Sequence, residues 1–279
     1  MAKRHPSTGS AAVSIFLAIL LLLITFSTLY FFIARTWWFP EAITAEGREV
    51  DAQFMRTLWI TGITFVLSQV ALAWAVVRYR SRGQRAVYSH GNNTMEILWT
   101  TITAVVFIAL GFYAKGAWAS LYFRPAVAGA TQVEVIGEQF KWSFRYPGPD
   151  GQFGRYKTVE QAIQEGRGSS PWQLDPADAA GKDDLVMGPG SLMAVPVGRE
   201  VELLLRAKDV THSFFVRELR LKQDTVPGMI IRVHFTAEKV GRYEIVCAEL
   251  CGLGHHTMRT FLLVLSPEDY EKWLKEQAE

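Results

Sequence analysis

The chain is 279 residues long and carries 29 Lys and Arg against 27 Asp and Glu, a formal charge of only +2. A balance so close to neutral lacks the basic excess of a nucleic-acid binder, and the length leaves room for one or two domains. Apolar residues make up 49% of the chain but are unevenly spread: long apolar runs fill the first 120 or so positions, and the remainder alternates. That split predicts a membrane anchor followed by a globular head.

Three runs reach the roughly 20 residues that a helix needs to cross the hydrocarbon core. The first, Ala11 to Ala34, contains no charge; the second runs from Thr57 to Val77. The third, Ile97 to Trp118, has Lys115 as its only charge, close enough to one end to snorkel. Lys3 and Arg4 precede the first run as they would a signal peptide. It is longer, however, than the usual apolar stretch of about 7–15 residues, and aromatic "RTWWFP" follows it instead of a small-residue cleavage site. A retained span is expected. The loop carrying Arg78, Arg80, Arg82 and Arg85 should be cytoplasmic by the positive-inside rule, together with Lys3 and Arg4. An odd number of spans then places the head outside, with Trp37, Trp38, Trp118 and Tyr122 at the outer interface.

Residues 1–125 are therefore expected to form the membrane region and residues 126–279 the head. From Thr131 onward short alternating runs are bounded by Gly and Pro, which predicts strands. "TQVEVIG" places Val133 and Val135 on one face; "REVELLLRA" does so with Val201, Leu203 and Leu205, and "GRYEIVC" with Tyr243, Ile245 and Cys247. "QFKWSFRY", "MIIRVHFTA" and "TMRTFLLVL" are further strand candidates, and a two-sheet sandwich or barrel would bury all of these faces. Residues 147–190 are polar and rich in Gly and Pro, an excursion loop in which Thr158 and Gln161 could cap a short helix ending at Gly166. Ser266 and Pro267 predict the start of a closing helix.

The densest chemistry lies in "CAELCGLGHHTM", Cys247 to Met258, which holds both cysteines of the chain. A disulfide is the ordinary use of two extracytoplasmic cysteines. So small a ring would constrain the unfolded chain little, and it gives His255 and Met258 no role. A helical stripe fits the spacing of four, four and three, but Gly252 and Gly254 suit a helix interior poorly. Thiolates, a thioether and an imidazole instead form a soft donor set suited to copper. Two Cys, one His and one Met exceed what a single blue-copper ion uses, which suggests two metal ions sharing the thiolates. A further histidine is then required, and "DVTHSFFV" offers His212. A structural zinc of two cysteines and two histidines is the rival, although it leaves Met258 idle.

These residues resemble subunit II of the haem-copper oxidases, a cupredoxin domain with a dinuclear copper A centre. The loop matches the family pattern C-x-E-x-C-x3-H-x2-M at every ligand position, "DVTHSFFV" with "LKQDTVPG" resembles its first-histidine segment, and "MEILWT" resembles its second-hairpin signature. The resemblance implies that Cys247 and Cys251 bridge two coppers. His212 and Met258 would complete one ion, and His255 with the Glu249 carbonyl the other. It further implies a magnesium at the Glu249 side chain shared with catalytic subunit I, haem in that partner, further membrane subunits, and cytochrome c as donor. Phe214 and Phe215 would keep water from the centre, and Glu96 would stand at a proton entry whose bland alternative is a solvated carboxylate. His256 and His234 fall off the ligand spacing, and His5 and His90 lie in basic segments with no special role.

The chain departs from the pattern in its aromatic segment, where Phe140 takes the place of the first of two tryptophans and Trp142 that of the second. They are electron-entry candidates, or else simply sandwich core. The head carries 18 Lys and Arg against 22 Asp and Glu over residues 131–279. Arg145, Arg217, Arg220 and Lys222 nevertheless fall in segments expected near the copper, which argues for a donor that is not strongly basic or that docks mainly through apolar contacts. The expected role is thus an electron-transfer subunit of a membrane oxidase that reduces dioxygen and translocates protons. A nitric oxide reductase fed by the same kind of centre, and a zinc- or copper-holding module without redox role, stand as alternatives.

Overall fold

In a computed structural model of the chain, residues 8–36, 38–81, 87, 88, 90–157, 161, 164–166 and 172–278 are described. They divide into two compact units, Met1–Phe39 with Ala52–Lys115, and Pro40–Asp51 with Gly116–Glu279. The first is built from helix α1 (Thr8–Ile33) and most of α2 (Ala45–Arg78) and α3 (Asn93–Tyr122). All three contain spans long and apolar enough to cross a membrane, namely Ala11–Ile33, Ala45–Arg78 and Asn93–Gly116. Several hydroxyls on α1 and α2 are satisfied by carbonyls of their own helix. Thr25 Oγ1 donates to Leu21 O at 2.8 Å, Thr61 to Thr57 O at 2.9 Å, and Ser68 to Thr64 O at 2.7 Å. Asn92 Oδ1 caps α3 by accepting the Met95 N–H. Phe32, Trp38, Phe39 and Phe54 form an aromatic cluster where α1 turns into α2. Trp37, Lys3, Arg4, Arg82 and Arg85, invoked for the topology, lie outside the described residues, as does Thr158 of the expected capping box.

The second unit is a two-sheet cupredoxin-type sandwich. One sheet contains β1 (Thr131–Glu138), β2 (Lys141–Tyr146), β3 (Leu185–Met187), β5 (Glu200–Ala207) and β8 (Ile231–Thr236), ordered β3-β2-β1-β5-β8. The other contains β4 (Met193–Pro196), β6 (His212–Val216), β7 (Leu221–Thr225), β9 (Gly241–Cys247) and β10 (Arg259–Leu265), ordered β4-β10-β9-β6-β7. Alternation does the folding work here. Val133, Val135, Val201, Leu203 and Leu205 are fully buried on one inner face, and Phe214, Ile245, Leu262 and Val264 on the other. The helix after β10, α4 (Pro267–Ala278), begins on Ser266, whose Oγ accepts the Asp269 N–H at 3.1 Å.

Two features lie beyond what periodicity predicts. Residues 40–51 pack on the head, Ile43 N–H donating to Glu218 O at 2.9 Å and Arg220 pairing with Asp51 at 2.8 Å. The 147–190 stretch supplies β3 and is pinned by Arg145, which is wholly buried. That guanidinium pairs with Glu134 at 3.0 Å and with Asp184, and donates to Gly154 O at 2.6 Å. The Tyr156 ring lies under both Arg145 and Arg206.

Candidate metal centre

The site is assembled at one end of the second sheet. Antiparallel pairing of β6 with β9 sets Phe214 opposite Cys247, so His212, two residues earlier on the same face, points toward the loop that leaves β9. That loop is closed at its base, where Cys247 N–H donates to Met258 O at 3.1 Å. Both cysteines are free and buried, with their sulfurs 3.9 Å apart; they are not joined as a disulfide.

Around this pair the donors converge. Cys251 Sγ lies 3.6 Å from His255 Nδ1 and 3.9 Å from Met258 Sδ, and Cys247 Sγ lies 3.1 Å from the Glu249 carbonyl oxygen. A ring nitrogen of His212 and the two sulfurs lie within 4.8 Å of one another. His212 Nε2 is taken by Asp209 Oδ1 at 2.8 Å, while Nδ1 is buried without a hydrogen-bond partner. An orphaned buried imidazole nitrogen beside two free thiols is costly unless something binds there. The donors are those that a soft metal prefers. The residues present therefore fit a copper pair.

The electrostatics make the two thiols unequal. Burial opposes ionisation of Cys247, but the adjacent His212 ring, with the backbone of Glu249 and Ser213, outweighs it and brings the pKa to about 6. Burial and the neighbouring Cys247 charge push Cys251 up to about 11. Burial also works against a charged His212, yet Cys247 and Asp209 together hold its pKa above the ordinary value. Without metal, the pair thus carries one anion near neutrality. Ligation by cations is what makes both sulfurs anionic.

Residues from the first sheet close the site. Gly137 permits this contact, since a Cβ there would meet His212 Cδ2 at 2.9 Å and Trp142 Cζ3 at 3.0 Å. Trp142 is 1% exposed and stands edge-on to His212 and Phe214. Phe140 is half-buried and lies directly on the ligand loop, where a Cβ on Gly254 would come within 2.4 Å of its ring. The two aromatics therefore differ: Trp142 belongs to the core and Phe140 is the outward one. Phe214 is fully buried, whereas Phe215 is only half-buried. Glu249 projects its side chain outward. Glu96 is exposed in the first turn of α3.

Of the basic residues expected near the site, Arg217 and Lys222 are exposed beside Glu218 and Asp224, whereas Arg145 and Arg220 are not available to a donor. Arg145 is buried in its carboxylate pair and Arg220 is held by Asp51 and the Pro40 carbonyl, so neither presents free charge. Sequence spacing cannot show such pairing. His234 is likewise used internally, against Glu200 and the Arg124 carbonyl, and His256 is exposed on the ligand loop. Asp209 stands beside His212 in the sequence, whereas Gln139, whose Nε2 donates to the Cys251 carbonyl, carried no sequence signal because it arrives from the other sheet.

Fold and donor set together define a membrane-anchored cupredoxin-type protein with a soft-metal centre. Comparison with known families agrees. The model for the cytochrome c oxidase subunit II periplasmic domain matches residues 131–264, and that for its transmembrane domain matches residues 33–115. The chain is 36% identical over 261 residues to the alternative cytochrome c oxidase subunit 2 of Bradyrhizobium diazoefficiens, covering 93% of this chain and 91% of that one. It is 30% identical over 222 residues to cytochrome c oxidase subunit 2 of Cereibacter sphaeroides, covering 78% and 72%. Among solved structures, the periplasmic domain of subunit II of cytochrome oxidase from Bradyrhizobium japonicum is similar, at 25% identity, covering 54% of this chain and 96% of that one, with a TM-score of 0.39. The chain belongs to the cytochrome c oxidase subunit II family. It is therefore a membrane subunit of an oxidoreductase complex, with its β-domain outside the cytoplasm.

Proposed function

We propose that this chain is the electron-entry subunit of a haem-copper terminal oxidase, taking single electrons from a cytochrome c and passing them to haem in catalytic subunit I. Dioxygen reduction to water and coupled proton translocation belong to that partner. One observation carries the reading: two histidines, a methionine and a carbonyl surround the sulfurs of two free buried cysteines. Cys247 and Cys251 would bridge two coppers, with His212 and Met258 completing one ion and His255 and the Glu249 carbonyl the other. A thiolate-bridged copper pair, when bound, shares one electron between its ions and so exchanges it with little change of geometry.

The chain's own residues prepare the rest. Asp209 takes the His212 Nε2 side and so reserves Nδ1 for metal. Trp142 and Phe214 keep water from the sulfurs. Phe140, half-buried against the loop, is the aromatic through which a donor would make contact. The outward Glu249 carboxylate suits a magnesium shared with subunit I, and exposed Glu96 suits a proton-entry role. Among further membrane subunits, the complex should sit in the plasma membrane.

The purified complex, given reduced cytochrome c, should consume dioxygen, and Cys251→Ser should abolish that uptake without preventing assembly. Uptake that survives the substitution, or consumption of nitric oxide in place of dioxygen, contradicts the proposal.

A further inference from the structure

Gln139 sits on the turn between β1 and β2, in the sheet that supplies none of the metal donors. Its side chain nevertheless reaches across, Nε2 donating to the Cys251 carbonyl at 2.6 Å. Its backbone N–H donates to Asp209 Oδ2 at 2.8 Å, and the other oxygen of that carboxylate accepts from His212 Nε2 at 2.8 Å. One residue thus links the main chain of a thiolate donor to the ring of a histidine donor, although the two belong to different segments. The ligand loop is shaped for this approach: a Cβ on Gly252 would lie 2.9 Å from Gln139 Nε2 and 3.0 Å from Phe140 Cε1.

We propose that Gln139 is a positioning residue for the metal centre, fixing the separation of Cys251 and His212 by bridging the Cys251 carbonyl and the Asp209 carboxylate. The inference rests on the copper reading above. An amide suits this bridge because it donates to a carbonyl, which a carboxylate or a thioether of similar length cannot do. Outer partners of metal ligands hold first-contact atoms at the distances the metal needs, and their loss typically costs about 10–100-fold in metal affinity.

The test uses the whole copper-loaded complex and two variants, Gln139→Glu and Gln139→Met, which keep the side-chain length and remove the donor. Copper loss to a copper(I) chelator is followed by the visible absorption, and the copper hyperfine pattern by electron paramagnetic resonance. Thermal unfolding of the copper-loaded variants reports separately on folding. Both variants should lose copper about 10–100-fold faster than the parent, with an altered hyperfine splitting. Loss rates within about twofold of the parent and an unchanged spectrum overturn the inference, even if the melting temperature falls, because a purely structural role would move only the latter. A parent complex that holds no copper pair overturns the copper reading and this inference with it.

Discussion

Cys247 and Cys251 have the same side chain and opposite surroundings. One faces the His212 ring, and the other faces the first one's charge. The pKa of Cys247 falls from 9.0 to about 6, so its stabilising effect on the metal-free domain is complete above pH 9 and is lost as the pH falls through about 6. That of Cys251 rises from 9.0 to about 11, so its effect is complete below pH 9 and is lost as the pH rises through about 11. The metal-free protein should accordingly show two separate thiolate steps in ultraviolet absorbance, belonging to the pair as a whole. Its thermal midpoint should be highest between those steps. Cys247→Ser should remove the lower step; a single step at the ordinary thiol pKa contradicts the account. At this scale the loop ligands were legible in the sequence because they lie within twelve residues. Gln139 was not, because hydrogen bonds between distant turns leave no periodic trace.

At the scale of elements, the β1–β2 turn and the ligand loop are fitted to one another. The backbone of Gly254 has φ −89 and ψ 10, which alanine accepts readily. The cost of Gly254→Ala should thus arise from contact with the Phe140 ring alone, about 1–3 kcal/mol as for other overpacked sites. Pairing it with Phe140→Ala relieves that clash, and a double-mutant cycle by thermal unfolding should show coupling of about 1 kcal/mol or more; additive effects would contradict the packing. Arg145→Met should cost more, about 3–5 kcal/mol, because it leaves the Asp184 carboxylate buried without its cation and Glu134 with Arg206 alone. Chemical denaturation measures that cost, and limited proteolysis should cut residues 147–184 first. Strands β1, β5 and β9 were readable because their faces alternate. β4 is buried at every position, β7 is polar and β3 has only three residues, so none of them carries the period-two signal that betrays a strand.

At the scale of the whole molecule, charge decides how a donor is met. The lysines beside the site, Lys141 and Lys208, share Glu138 at 3.4 and 2.9 Å, and Asp209 is committed to His212. Between them the ligand loop exposes Leu250 at 79% and Leu253 at 98%. A rim of compensated charge around apolar contacts gives little long-range steering. Reduction by basic and acidic cytochromes should therefore differ by less than about threefold across the salt range in which the Debye length falls from about 30 to 8 Å. A strong preference for the basic donor at low salt contradicts this. The anchor and the head were legible from hydropathy and alternation, whereas the neutralised rim was not, since only the folded chain brings Lys141, Lys208 and Glu138 together.

The central claim is that two thiolates hold two coppers that share one electron, and its most direct test is metal content with electron paramagnetic resonance on the purified full-length chain. Two coppers per chain and a seven-line hyperfine pattern, from one electron spread equally over both nuclei, are the predicted result. A single zinc, a lone copper with a four-line pattern, or a disulfide between positions 247 and 251 would contradict it.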